Sequence, residues 1–333
     1  MTTQTANRES KSKKSLFRSD AMQRLLAFGA LILLFIVFSI ASPYFFTKDN
    51  IIGILLATAV NGVLALGVTF VIITAGIDLS VGTVMTLSAV MTGVFITNMH
   101  LPVPLGILGG ILAGTMAGFI NGNVISRMKI PPFIATLGMF YIAKGLSLVI
   151  SQLKPIYFND TPAFREMTMG SALGKVIPGF EIPNIVFFMF GAAIIAHLIL
   201  SRTILGRYTF ALGSNEEATR LSGVNVAGWK TAVYTLGGFF AGLAGVLIAS
   251  RLNSAQPALG SGYELDAIAA VVIGGTSLSG GEGSILGTVI GAFLISTLTN
   301  GLRILSVPQE WQMVVTGTIV ILAVFLDILR RRR

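Results

Sequence analysis

Cysteine is absent from the 333 residues. That excludes disulfides, thiolate nucleophiles and thiolate metal sites. Charge is scarce as well. Asp, Glu, Lys and Arg make up 11% of the chain, against about 25% in a soluble domain. A soluble protein of this composition lacks the polar residues to cover its own core. The two histidines, His100 and His197, are far apart in sequence, and no H-E-x-x-H string occurs, so no histidine ligand cluster is expected. No G-x-x-x-x-G-K-[ST] string occurs either, which leaves no P-loop to cradle a nucleotide. The string "GGTSLSGGEG" (274–283) is Gly-rich, but it has no lysine and no predicted strand precedes it. Paired carboxylates and nucleophile–base constellations are missing too. The expectation is a chain with no catalytic site, no metal site and no cofactor of its own.

Apolar residues are abundant, at 53% of the chain. About 20 of them in a row cross a bilayer. Such runs lie near 23–43, 51–74, 80–97, 103–125, 132–152, 184–201, 231–250, 264–277, 284–302 and 311–329. The fold class read from this pattern is an all-α polytopic membrane protein with about ten transmembrane helices. Eight is the alternative count, because the run at 264–277 is short and Gly76 interrupts the second-to-third junction. Residues 1–22 form a basic N-terminal tail, and the apolar run after it lacks a small-residue cleavage site, so an uncleaved first helix is expected. The net charge of +9 clusters beside apolar runs, where it sets orientation rather than binding nucleic acid. Arg8, Lys11, Lys13, Lys14, Arg18 and Arg24 place the N-terminus in the cytoplasm. Arg127, Lys129, Arg202, Arg207, Arg220 and Lys230 fall on the same side, as does the arginine tail at 330–333. The transmembrane region is therefore set at 23–329, with a periplasmic segment at 153–183 and a cytoplasmic loop at 203–230.

Two pairs of strings resemble each other. "GIDL" (76–79) is similar to "GYEL" (262–265), and "ILGGILAGTMAGFING" (107–122) to "ILGTVIGAFLISTLTNG" (285–301). In this topology the second member of each pair runs the opposite way through the membrane, as an inverted repeat of five plus five helices requires. Chance similarity among strings of Gly, Ile and Leu gives the same match. Gly109, Gly110, Gly114 and Gly118 fall at spacings that let helix backbones approach closely. Polar groups within or beside the runs are few. Asn61, Asp78, Asn121, Glu264 and Asn300 are candidates for a translocation path or for helix breaks, and Asn123, Lys144, Asp266 and Asp327 complete the set. Uncharged groups suit a neutral polyhydroxylated solute, and they equally suit hydrogen bonds between helices.

One polar island, "ALGSNEEATRLSGVNV" (211–226), stands between two long apolar runs. It reads as a short helix over 213–223. Ser214 or Asn215 caps its start, Glu216 and Glu217 meet the positive end of the dipole, Arg220 lies in the last turn, and Gly223 takes the left-handed position after it. Two turns are marginal alone in water, so such a helix must dock on something.

Within the island, "EATRLSG" (217–223) resembles the coupling element of ABC-importer permeases. "AGIDLSVG" (75–82), "PPFIATLGM" (131–139), "LGRYTFALGSNEEATRLSGVNV" (205–226) and "AIAAVVIGGTSLSGGEGSILGTVIGAFLI" (267–295) are similar to strings in the permeases of ribose-type sugar ABC importers. The resemblance spans roughly residues 50–329. It implies a bacterial inner-membrane permease with both termini cytoplasmic, which works as a homodimer or heterodimer. Its implied partners are a cytoplasmic ATPase, which holds ATP and Mg, and a periplasmic sugar-binding protein. Gly213, Asn215, Glu216, Glu217, Ala218, Arg220 and Gly223 are the residues it assigns to ATPase coupling. One departure is that Lys144 stands where the family carries arginine. The superfamily also includes permeases for branched-chain amino acids and for a signalling furanosyl compound. A rival from another class is an ion-coupled secondary transporter, which leaves the island without a docking partner.

Overall fold

The computed structural model describes residues 20–177, 179 and 181–331. Arg8, Lys11, Lys13, Lys14 and Arg18, together with Arg332 and Arg333, lie outside the described residues, as do the side chains of Arg24, Asp327, Arg330 and Arg331. Helices dominate. They are α1 (Asp20–Ala41), α2 (Lys48–Ile73), α3 (Val81–Gly93, continued by a π-helical turn Val94–Asn98), α4 (Val103–Ser126) and α5 (Pro132–Ile150). Then come β1 (Ile156–Tyr157), α6 (Pro162–Met169), α7 (Ala172–Val176), α8 (Asn184–Arg202), α9 (Ile204–Ser214), α10 (Glu216–Leu221) and α11 (Val226–Leu252). The chain ends with β2 (Ser254–Ala255), α12 (Tyr263–Ile273), α13 (Ile285–Ile304) and α14 (Gln309–Arg331).

Among the described residues, seven helices are long and apolar enough to cross a membrane: α2, α3 with its π turn, α4, α5, α8, α11 and α13. The apolar part of α1, Leu25–Ala41, is shorter. The run expected at 264–277 becomes α12, which stops after 11 residues at Gly274. At about 1.5 Å per residue that is roughly half a bilayer.

The surfaces of these helices explain the composition. On α8, Ile185, Met189, Ala192, Ala196 and Leu200 are buried at helical spacing, while Phe187, Phe190, Ile194 and Leu198 on the other face are exposed. A helix that is apolar all round yet only half buried needs an apolar surrounding. By contrast α2, α3 and α11 are covered along most of their length and form the centre, where Phe70 stacks on Phe240 with ring centroids 6.4 Å apart.

Glycine sets how closely α4 and α11 pack. A Cβ at Gly114 would lie 2.7 Å from both the Gly238 carbonyl oxygen and the Gly242 Cα, and one at Gly122 would lie 2.7 Å from the Thr231 Cα. Contacts fall along α11 as they rise along α4, so the two helices are antiparallel. Gly110 faces α3 instead, against Thr92 and Ser88. The packing role expected of this glycine series is what the structure shows. Likewise α2 and α13 run antiparallel, with Gly53 near Asn300, Gly62 near Ala292, and Thr69 2.7 Å from Thr288 between hydroxyl oxygens.

These contacts define two ends of the bundle. One carries the end of α2 at Ile73, the end of α9 at Gly213 and the start of α13. The other carries the β1–β2 ladder, which pairs Ile156 with Ala255 and Tyr157 with Ser254. There Arg251 Nη1 donates to the Leu56 carbonyl at 2.9 Å.

Candidate functional site: a short polar helix and a buried polar cluster

The island expected to be one helix over 213–223 is broken. Asn215 is extended (φ −161°, ψ 101°), so Gly213 and Ser214 close α9 and only six residues form α10. The reason is the cap. Asn215 Oδ1 accepts from the Ala218 N–H at 2.9 Å, and that geometry requires a non-helical backbone at the capping residue. Asn215, not Ser214, is therefore the cap. Glu216 and Glu217 occupy the first turn and Arg220 the last, 2.9 Å from Glu217. Gly223 follows at φ +80°, and a Cβ there would meet nothing within 4 Å.

What holds so short a helix is contact with its neighbours. The Thr219 hydroxyl donates back to the Ala211 carbonyl at 3.0 Å, across the break into α9. Lys230 of α11 pairs with Glu216. Tyr208 of α9 packs on Trp229 of α11 with ring centroids 4.9 Å apart. The far side of α10 is open: Leu221 is 80% exposed, and the Glu217–Arg220 pair faces outward. Gly213 lies on the α9 side of the break. A Cβ there would overlap the Ile73 carbonyl oxygen and lie 2.5 Å from the Gly281 N.

The polar groups in the apolar region gather where α3 and the half-length helix α12 begin. Asp78 Oδ1 accepts from the Ser80 N–H at 2.8 Å and from the Ser80 hydroxyl at 2.6 Å, and Asn121 Nδ2 donates to that hydroxyl at 2.9 Å. Asp78, Ser80 and Asn121 are all buried, and Ser80 precedes the first residue of α3. At the start of α12, both Glu264 oxygens face the Gly262 N–H, at 3.0 and 3.1 Å, and Gly262 has φ +102°. The two starts touch: a Cβ at Gly82 would lie 2.6 Å from Glu264 Oε2 and 3.2 Å from the Glu264 N. From this meeting point α3 runs to the β-ladder end, where Gly93 meets Ile156, and α12 runs to the Ile73 end. Asn61 of α2 is within hydrogen-bond reach of Asp266, while its own Oδ1 is buried without a partner among the described residues.

Of the five candidates for a path or helix break, Asp78 and Asn121 thus share one cluster, and Asn61 and Glu264 lie at the start of α12. Asn300 stands apart, beside Gly53 and with its Oδ1 unpartnered. The structure gives specific contacts to Ser80, which lies within the "AGIDLSVG" string, and to Lys230, which the sequence marks only as an orienting charge. Among the described residues no group of His, Cys, Asp and Glu is arranged to hold a metal ion.

Comparison with known proteins identifies the family. Residues 50–324 match the family described as "branched-chain amino acid transport system / permease component". The chain is 43% identical to the ribose import permease protein of Bacillus subtilis (strain 168), over 95% of this chain and 96% of that one. It is 39% identical to the ribose import permease protein of Escherichia coli (strain K12), over 98% and 99%. It is 38% identical to the fructose import permease protein of Rhizobium meliloti, over 91% and 82%. No solved structure matches the chain. With a family match across most of its length and helices sided for lipid, the chain belongs to the branched-chain amino acid transport system permease family and is an integral membrane protein.

Proposed function

We propose that this chain is the membrane permease subunit of an ATP-driven importer, and that its solute is a sugar of the ribose type. The observation that carries the solute is the 43% identity with a ribose import permease over 95% of the chain. In this reading α10 is the coupling helix. Asn215, Glu216, Glu217, Ala218, Arg220 and Gly223 shape it or present it to a cytoplasmic ATPase, which holds ATP and Mg. A periplasmic binding protein delivers the sugar at the opposite end, and a second permease copy completes the pore.

The same reading takes ten helices as five plus five in inverted order: α1 to α5, then α8 and α11 to α14. Several features support it. A Gly-x-acid-Leu string precedes α3 and another opens α12, and the two helices start at a common point. The two long central helices, α2 and α11, each pack antiparallel on the glycine-bearing helix of the other half. The protein then sits in the bacterial inner membrane with the Ile73 end cytoplasmic, the 153–183 segment periplasmic and both termini inside. Asp78, Asn121, Glu264 and Asn61 border the route between the halves, where alternating access needs backbone that rearranges.

The test is reconstitution of the purified permease with its ATPase in proteoliposomes, with binding protein added outside. Uptake of labelled ribose that needs both MgATP and binding protein is the expected result. Uptake by the permease alone, driven by an ion gradient, refutes the reading in favour of a secondary transporter. ATP-dependent uptake of an amino acid but no sugar refutes the solute.

A further inference from the structure

The loop 274–283 between α12 and α13 carries five glycines in ten residues, yet nothing in the coupling helix or the buried polar cluster calls for them. Its packing does. The Gly281 N–H donates to the Ile73 carbonyl at the end of α2, at 2.9 Å. A Cβ at Gly280 would lie 2.9 Å from the Ala75 Cβ, the Ala75 N and the Gly213 carbonyl oxygen. One at Gly281 would lie 2.8 Å from Ser214 Oγ. One at Gly213 would strike Ile73 and Gly281 together. Three segments therefore meet backbone to backbone: the end of α2, the end of α9 and this loop.

Each segment is stiff where it meets the others. The loop closes on itself, the Gly280 N–H donating to Ser277 at 3.0 Å and the Ser277 N–H to Glu282 at 3.2 Å, and the Thr276 N–H ties it to Val271 of α12 at 3.1 Å. On the α9 side, the Asn215 N–H donates to Ala211 at 3.0 Å, and Thr219 ties α10 to the same carbonyl. On the α2 side, Ala75 and Gly76 donate to Ile72 and Val71 within the helix end, and the chain then enters the Asp78 cluster at the start of α3. The meeting point is thus one or two residues from α10 on one side. On the others it leads directly to α3 and α12. Close-packed backbone has no slack side chain to absorb a displacement.

We propose that Gly213, Gly280 and Gly281 form a rigid joint that carries movement of α10 to α3 and α12, and that Gly213 is a positioning residue for transport rather than a contact for the ATPase. This deepens the importer reading and rests on it. The joint moves as one body, so fixing it covalently leaves transport intact, whereas prying it apart separates ATP hydrolysis from uptake.

The absence of cysteine makes the test clean. In the Thr69→Cys/Thr288→Cys pair, which leaves the glycines of the joint in place, the side-chain oxygens of α2 and α13 lie 2.7 Å apart about one turn from the joint, close enough for a disulfide to replace the contact. The pair is expected to cross-link on mild oxidation and to import sugar, in the reconstituted importer, within twofold of its reduced form. Failure to cross-link overturns the contact. A tenfold or greater loss of uptake on oxidation, reversed by reductant, overturns the rigid joint. In the second arm, Gly213→Ala is expected to co-purify with the ATPase as wild type does and to sustain hydrolysis, while uptake per ATP falls at least tenfold. Wild-type uptake per ATP in that variant overturns the proposal, as does loss of ATPase association from a folded permease. If Gly213→Ala is not recovered folded, the cysteine pair decides alone. Absence of ATP-dependent uptake by the wild type refutes the importer reading instead, and cross-linking of the pair still reports on the contact.

Discussion

At the scale of single residues, the positions that matter most are those where one atom has no substitute. Asn215 is such a position, since its Oδ1 satisfies the Ala218 N–H and its extended backbone starts α10. Loss of an N-cap costs about 1 kcal/mol, a large share of the stability of a six-residue helix. Asn215→Ala is expected to insert normally and to lose most of the hydrolysis stimulated by loaded binding protein. Asn215→Asp, which keeps the acceptor, is expected to retain it, and equal behaviour of the two would remove the cap from the argument. Gly223 separates space from backbone. A side chain there meets open space but sits at φ +80°, a region that Asn tolerates and β-branched residues do not. Gly223→Asn is therefore expected to import near wild type and Gly223→Val to import poorly, with both found in the membrane at normal levels. For Asp78 the acceptor role predicts that Asp78→Asn keeps more uptake than Asp78→Ala, because Ser80 still finds an oxygen. Equal loss in both would assign the effect to the charge.

At the scale of elements, the sequence was informative wherever the cause is local. The apolar runs, the acidic first turn of α10 and the left-handed Gly223 all follow from neighbours along the chain. The sequence was silent where the cause lies far away. Asp78 and Asn121 are 43 residues apart and are joined only through Ser80. The polar island gives no sign of the constraint on Gly213, which is the Ile73 carbonyl 140 residues earlier. The break at Asn215 was hidden for a related reason: Ser214 and Asn215 are both good caps, and α9 continues helical through Ser214 for want of any breaker before it. The segment 153–183 shows a third kind of case. Its sequence marks it only as a segment between apolar runs, and the structure packs its helix α6 on α11. Phe164 is fully buried, Ser250 donates to its carbonyl, and Thr168 lies 2.7 Å from Ser250 between hydroxyl oxygens. Phe164→Ala empties a buried aromatic site, a change that costs about 3–5 kcal/mol in a packed core. It is expected to expose this segment to added protease while the membrane helices survive. An unchanged digestion pattern would show that α6 is held by something else.

At the scale of the whole molecule, the arrangement puts α10 and the α6 segment at opposite ends of the bundle, and the topology proposed for it is open to direct measurement. Lys175 follows α6 and pairs with Glu166 at the surface, with a side chain 73% exposed. Leu221 closes α10 at 80% exposure. Because the native chain has no cysteine, Lys175→Cys and Leu221→Cys each give a single reactive site. The surface pair lost at Lys175 is worth under about 1 kcal/mol, so neither change threatens the fold. In cells with a permeable outer membrane and a sealed inner membrane, a membrane-impermeant maleimide is expected to label Lys175→Cys. It is expected to reach Leu221→Cys only after the inner membrane is opened. Labelling of both from outside, or of Lys175→Cys only from inside, would break the charge-based orientation and the span count with it. The same Leu221→Cys protein tests the partner. In opened membranes, co-expression of the ATPase is expected to slow its labelling severalfold, because an exposed leucine at the centre of a docking surface is covered when the surface is occupied. Unchanged labelling with the ATPase demonstrably bound would place the docking surface somewhere other than α10.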